Sequence, residues 1–182
     1  MPGISVSKIC VPFGGGGINW MQLNLVLEGH SFIMPGTNLG NELLRYAETY
    51  SFYNSAVGGS TFLSIEEGAT TVDSKIVPTS TRAMNTLVLW AGVNGFYNDL
   101  GIGAIRYAEM KSYCLDRVAA GWKVFTYTMT PSTSGGRGAV FESERDIFNN
   151  LMRTDLATYA NVYILDTDTI AEFDDPADTT YY

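Results

Sequence analysis

The sequence predicts an α/β fold built on a mostly parallel, five-stranded sheet, and three observations carry that expectation. Short apolar runs such as Leu25-Val26-Leu27 and Thr86-Leu87-Val88-Leu89-Trp90 each end in a turn signal rich in Gly, Asn or Asp. Longer stretches with apolar residues three and four apart lie between the later runs, as crossover helices do. The strands are near-continuously apolar rather than alternating, the pattern of a parallel sheet covered on both faces.

The elements follow in order. Residues 4–13 alternate partly, through Ile4, Val6, Ile9, Val11 and Phe13, like a short strand, and Gly14 to Gly17 form a flexible joint behind them. Residues 1–20 are therefore expected to be an arm and Gly-rich joint, and residues 21–182 the folded domain. A buried strand over 23–27 leads to a helical stretch over 39–50, then to a second strand over 52–57 entering Gly58-Gly59. A third strand over 86–90 enters Ala91-Gly92-Val93-Asn94. The helix expected over 102–120 buries a face made of Ile105, Ala108, Ser112, Leu115, Ala119 and Trp122, and Gly121 suits its end. A fourth strand over 123–129 is stopped by Pro131 and a Ser/Gly-rich loop running through Gly138. A helix over 143–159 buries Ile147, Phe148, Leu151, Met152 and Leu156, and a fifth strand over 162–165 closes with Asp166.

Composition narrows the function classes. The 182 residues carry 11 Lys and Arg against 19 Asp and Glu, a net charge of −8, and no basic stripe interrupts that balance. Binding to a phosphate backbone is electrostatically disfavoured, so no nucleic-acid partner is expected. No window approaches the roughly 18 apolar residues of a membrane span, and the start lacks the basic-then-apolar pattern of a signal peptide. A soluble protein is expected, of the virion or the extracellular space by the readings below. Cys10 and Cys114 are expected as two reduced thiols. With a single histidine, His30, and two separated cysteines there is no zinc-site spacing, and the Asp-rich tail has no EF-hand spacing. No metal and no cofactor is expected. Gly14 to Gly17 lack the Gly-Lys-Ser/Thr of a phosphate loop.

Topology turns scattered residues into a site. In open parallel sheets the ligand crevice lies at the carboxyl ends of the strands, and Ser31, Gly59, Asn94, the 131–138 loop and the Asp166 tail all leave such ends. An acyl-transfer site needs a nucleophile, donors for a developing oxyanion, and a base held by an acid. Ser31 suits the first role. Its own N–H, the Gly59 N–H and the Asn94 side-chain amide suit the second, since Gly59 lets the backbone approach closely and Asn94 donates without bringing charge. Each has a plainer reading: Ser31 alone is a helix N-cap, Gly58-Gly59 a turn, and Asn94 an Asx-turn residue. Tyr97 is a candidate for stacking on a sugar. Arg137 is a solvated loop residue or a contact for an anionic substrate group at the rim.

At these positions the chain resembles the SGNH or GDSL hydrolase superfamily. The strand and Gly-Asp-Ser block of that family is similar to Leu25-Val26-Leu27-Glu28-Gly29-His30-Ser31, with His30 where Asp is usual. The Asn-to-Gly block is similar to Asn54 through Thr61, which carries the oxyanion glycine onto Gly59. The Gly-x-Asn-Asp block is similar to Gly92-Val93-Asn94-Gly95, with Gly95 in place of Asp. The likeness covers about residues 23–166. It implies a flavodoxin-like, three-layer α/β/α fold with its final helix missing from this stretch. It also implies Ser31 as nucleophile with Gly59 and Asn94 as oxyanion donors. The family's Asp-x-x-His block has no counterpart here, for Asp174, Asp175 and Asp178 are followed by no histidine. His30 cannot act on Ser31, because adjacent side chains on a tight turn point apart, and is expected to hydrogen-bond beneath the turn.

The resemblance implies a serine esterase acting on acyl esters. The polar Gly/Ser loop at the rim and the acidic surface favour O-acetyl groups on carbohydrate over long lipids. The missing Asp and His are expected from outside this stretch, in a longer or processed polypeptide or from a partner chain. The alternative is a catalytically inactive binding or assembly subunit, for example of a phage virion, anchored as a homo- or hetero-oligomer through the N-terminal arm and an uncovered sheet face. A nucleotide-binding module of flavodoxin type is a third possibility, without the loop signature.

Overall fold

The computed structural model of the chain describes residues 23–29, 49–81, 83–96, 99–132 and 138–170. They form a single sheet of five strands: β1 (Leu23–Gly29), β2 (Thr49–Asn54), β3 (Met84–Trp90), β4 (Lys123–Tyr127) and β5 (Val162–Leu165). Their order is β2-β1-β3-β4-β5, and every pairing is parallel. This is the flavodoxin-like order of a three-layer α/β fold.

Between the strands run α1 (Phe62–Asp73), α2 (Ile102–Ala120) and α3 (Ala139–Thr154). All three pack on the same face of the sheet. There Val26, Leu87, Leu89, Val124 and Val162 meet Phe62, Ile65 and Val72 of α1, Tyr107, Met110 and Tyr113 of α2, and Phe141, Phe148 and Met152 of α3. The side chains of alternate strand positions point to the opposite face, as the pleat requires. That face gathers Leu25, Leu27, Val88 and Trp90, with Phe125 and Tyr127 against them. Two aromatic pairs stack across strands on it: Trp90 on Tyr127 at 4.3 Å between centroids and Phe125 on Tyr163 at 4.6 Å.

The amino ends of the central strands are tied by buried amides. Asn24 of β1 donates to the Asn85 Oδ1 at 2.7 Å and to the Lys75 carbonyl at 2.8 Å, and accepts from the Ser51 hydroxyl of β2. Asn85 in turn makes a two-way bond with the backbone of Val77. Each polar group buried there is satisfied, so the cluster fixes strand register rather than costing stability.

Several elements differ from expectation. The sequence reading contained no helix over α1, whose Gly68 and paired threonines have poor helix propensity. The helix is held instead by Thr61 and Ser64, which form a reciprocal capping box, and by the burial of Phe62, Ile65 and Val72. For α2 the bounds match, and Gly121 ends it with φ +112° and the paired bonds Trp122 N to Arg117 O and Gly121 N to Val118 O, a Schellman stop. Its buried face is not the expected one. Gly103, Tyr107, Met110, Tyr113, Cys114 and Arg117 face the core, while Ile105 is 56% exposed and Ala108, Ser112 and Ala119 face outward. Trp122 of the expected face is buried, and Tyr107, Tyr113 and the Arg117 Nη1 find partners, though the buried Arg117 Nε has none among the described residues, so long amphipathic side chains fill the interface where small apolar ones were expected.

The last helix starts at Ala139 and ends at Thr154, not over 143–159, and Leu156 is buried from a separate 3₁₀ turn, Leu156–Thr158. Ile147, expected inside, is 41% exposed. The second strand runs earlier than 52–57, and Thr49 and Tyr50, expected at the end of a helix, open it. The fourth strand stops at Tyr127, two residues short of the expected end. The arm, Cys10 and the rest of the 39–50 stretch lie outside the described residues.

Candidate active site

The carboxyl ends of all five strands share one edge, and β1 leaves it at the switch point of the strand order, between β2 and β3. Gly29 occupies that exit. Its φ of +144° favours glycine, and a Cβ there would lie 2.0 Å from the Trp90 carbonyl oxygen, so only a residue without a side chain lets β1 and β3 end this close together. On the other side the Gly29 carbonyl accepts a 3.0 Å bond from Val57 N, which continues the β1 to β2 pairing past the last strand residue. Ser31 and His30, the next residues along, lie outside the described set.

Val57 opens the turn that carries Gly59. Ser60 N and Ser60 Oγ both donate to the Val57 carbonyl, at 3.1 and 2.8 Å, closing a four-residue turn with Gly59 third. Its φ of +82° is the backbone that a type II turn demands at that place, and its surroundings are open. Gly59 is thus chosen for its conformation. The Gly59 N–H makes no hydrogen bond to a described residue.

The β3 loop lies beside this turn. Gly92 (φ +122°) brings its backbone against Met129 and Phe148, and Gly95 (φ +80°) turns the chain so that a Cβ there would lie 3.5 Å from Thr61 Cγ2. Arg106 of α2 donates from Nε to the Gly95 carbonyl at 3.2 Å, fixing the loop from below. Asn94, between the two glycines, is half-exposed, and its side chain makes no hydrogen bond to a described residue. The structure therefore brings two of the expected site residues, Gly59 and Asn94, onto adjoining loops at the carboxyl edge, each with a donor that no described residue engages. Tyr97 and Arg137 lie outside the described residues.

The far end of the edge is built from ion pairs. Asp166, which closes β5, accepts from Arg153 Nε at 2.9 Å and Nη2 at 2.7 Å and from Thr128 Oγ1 at 3.0 Å. The Arg153 bonds hold its carboxyl below the usual aspartate range. Asp168 is bridged by Arg145 and Arg153 and takes a backbone bond to Thr128 Oγ1. Both carboxylates are committed to arginine, which makes them anchors of the strand end. Among the described residues no cluster of three His, Cys, Asp or Glu side chains could hold a metal ion, and no helix is long and apolar enough to cross a membrane.

One group that sequence reasoning passed over sits directly beneath the β1 exit. Glu28, 3% exposed, accepts a short hydrogen bond from the Tyr113 hydroxyl of α2. Burial raises its carboxyl to about 7, against the opposing pull of the Tyr113 bond and the Arg117 charge, with Asp73 adding a smaller push upward. Burial and the neighbouring Glu28 charge also raise the Tyr113 phenol. Arg117 is itself buried and pairs with Asp73 at 2.7 Å, while Asp73 accepts from Trp122 Nε1 at 3.0 Å. The signal in the sequence was a lone carboxylate inside an otherwise uncharged strand, immediately before a glycine. Cys114, a free buried thiol pushed up to about 12 by burial, is unreactive by the same physics.

No family model and no curated protein sequence matches the chain. Solved structures do. A candidate acylhydrolase from Bacteroides fragilis aligns with a TM-score of 0.57 at 16% identity, covering 78% of this chain and 66% of its own. An acetyl-xylooligosaccharide esterase from Geobacillus aligns at 0.58 and 12% identity, covering 78% and 74%. The catalytic domain of a peptidoglycan O-acetyltransferase from Streptococcus pneumoniae aligns at 0.51 and 16%, covering 84% and 74%. The chain spans about two thirds of the length of the first, 66%, and it has the fold of the GDSL and SGNH acylhydrolases.

Proposed function

We propose that this chain supplies the nucleophile and oxyanion half of an SGNH-type serine ester hydrolase. Ser31 attacks an ester carbonyl, and the Gly59 N–H and Asn94 amide stabilise the oxyanion that forms. The reaction needs a histidine to take the serine proton and pass it to the leaving alcohol, with an acid to orient it. The only histidine in the sequence, His30, is the residue next to Ser31 and is not assigned as its base, so this pair is assigned to a longer polypeptide or to a partner. The observation that carries the reading is the placement of Gly59 and Asn94 on adjoining loops beside the β1 exit, with donors that no described residue engages. Short acyl groups on carbohydrate are the favoured substrate class, a preference supported by structural neighbours that include an acetyl-xylooligosaccharide esterase and an O-acetyltransferase domain.

The test is release of acetate from 4-nitrophenyl acetate and from acetylated xylo-oligosaccharides by the native polypeptide. Ser31→Ala is expected to abolish turnover, and Asn94→Ala to lower kcat on the order of 100-fold with the fold intact. Equal turnover of long-chain esters removes the substrate preference. A native polypeptide no faster than its Ser31→Ala form favours the second reading, an inactive binding or assembly subunit. The single histidine is the observation that speaks for that reading.

A further inference from the structure

Three anchors hold the exit of β1. From β2, Val57 N donates to the Gly29 carbonyl at 3.0 Å. From β3, the Trp90 backbone lies so close to Gly29 that no side chain fits between them. The third comes from the helix layer. The Glu28 side chain points away from Gly29 into the core and is gripped there by the Tyr113 hydroxyl, while α1 comes over it through Gly68, whose missing Cβ would stand 3.6 Å from Glu28 Oε1. Arg117, stacked on the Tyr113 ring at 5.0 Å and tied to Asp73 and to the Ala69 carbonyl, locks the phenol in place. The first two anchors are backbone contacts that any parallel sheet of this order can make. The third is a buried carboxylate with a specific partner on a helix 85 residues further along the chain, at a cost in desolvation that a leucine at the same position would not incur.

We propose that Glu28 is a positioning residue for the reaction edge: the Tyr113 hydroxyl, by holding the Glu28 carboxyl, fixes the last residues of β1. Through the Val57 to Gly29 bond it thereby sets the β1 exit, from which the chain continues to Ser31, relative to the turn that carries the Gly59 N–H. The inference rests on Ser31 and Gly59 acting as the proposed function assigns them. Its chemistry is that of a supporting contact. In sequence Ser31 follows β1 and Gly59 follows β2, and the exits of those two strands are joined by that bond next to Glu28. A displacement of about 1 Å between such groups costs up to about a hundredfold in rate.

Two measurements test it. In the 182-residue chain, amide hydrogen exchange reads the β1 exit without any reaction. Protection of the Val57 N–H is expected to fall in Tyr113→Phe and in Glu28→Leu, but not in Glu28→Gln, which keeps an acceptor for the phenol; the Ile164 N–H on distant β5 serves as the internal reference. In the native polypeptide, Tyr113→Phe and Glu28→Leu are each expected to lower kcat for 4-nitrophenyl acetate roughly tenfold or more at unchanged KM. Glu28→Gln restores kcat to near the parent value, and the Tyr113→Phe/Glu28→Leu double variant loses no more than either single one. Unchanged Val57 exchange overturns the proposal. So does raised exchange with kcat unmoved in an active enzyme, which would make the clamp structural only. Turnover no greater than that of Ser31→Ala refutes the proposed function and the catalytic consequence of the clamp together, while the exchange pattern still decides separately whether Glu28 holds the β1 exit.

Discussion

Glu28 is the one ionisable side chain in a strand of seven, and its environment makes it a titrating group of the folded state. The groups that face it are Tyr113 and Arg117 on α2 and Asp73 on α1, with the neutral Cys114 thiol behind them. Its carboxyl binds a proton up to about pH 7 in the folded chain but only to its ordinary value of 4.5 when unfolded. Between those values the folded state holds the extra proton, so stability falls as pH rises through that window and is level above it. The shift corresponds to a loss on the order of 3 kcal/mol across the window. Glu28→Gln removes the titration. Urea unfolding followed from pH 5 to pH 8 should therefore show a declining stability for the parent and a flatter curve for Glu28→Gln, with the variant the more stable at pH 8. Parallel curves would mean that the carboxyl does not titrate within that range. Asn94 and Gly59 differ from Glu28 in kind: no described residue engages their donors at the edge, and replacing Asn94 should change rate and leave the unfolding curve in place.

At the scale of elements, α2 shows how a helix without a cap of its own is finished by its neighbour. Gly101 precedes it with φ +84° and offers no side chain to cap it, and of the first N–H groups Ile102 bonds the Asp99 carbonyl at 3.3 Å. Glu144 of α3, 4% exposed, supplies both oxygens: Oε1 accepts from Gly101 N at 2.8 Å and Oε2 from Gly103 N at 2.9 Å. The carboxylate also meets the positive end of the helix dipole. The close crossing depends on Gly103, where a Cβ would stand 2.3 Å from the Glu144 carbonyl oxygen. Glu144→Ala is expected to lower unfolding stability by about 2 kcal/mol, and Gly103→Ala by roughly 1 to 3 kcal/mol through forced separation of the helices. Both are read by urea titration, and a neutral Glu144→Ala would show that water caps the helix as well. These contacts also explain what was legible beforehand. Strands and the glycine that stops α2 follow from local pattern, so all five strands and the ends of α2 could be read from the chain. The buried face of α2 could not, because Tyr107, Tyr113 and Arg117 are core residues only by virtue of Asp155, Glu28 and Asp73, which lie far off in sequence. For the same reason α1, weak in propensity and held by tertiary contacts, left no local signal. At the carboxyl edge, the places of Gly59 and Asn94 on loops after β2 and β3 were legible from the strand pattern, whereas Glu28 was hidden because a single carboxylate in an apolar run gives no hint of its partner.

At the scale of the whole molecule, the strand order separates two kinds of pairing. Strands β3, β4 and β5 are neighbours in sequence and in the sheet, each joined by one helix, so their contacts close short loops. Strand β1 pairs with β2 and β3, and its register with β3 sets Leu23 against Met84, across most of the first half of the chain. Closing the longer loop costs more entropy before any contact is gained. Refolding followed by pulsed hydrogen exchange should therefore protect amides bonded between β3, β4 and β5, and between β1 and β2, before those bonded between β1 and β3; simultaneous protection would mean that the sheet forms in one step. The order has a consequence for biosynthesis. Strand β1 leaves the ribosome before any of the others, yet its slot between β2 and β3 exists only once residue 90 has been made. At a synthesis rate of about 5 to 20 residues per second the nascent strand waits for several seconds with the edge that β3 will cover unpaired. A glutamate near its end, and the polar Asn24 near its start, are the kind of residues that keep such a strand from pairing with the wrong neighbour while it waits.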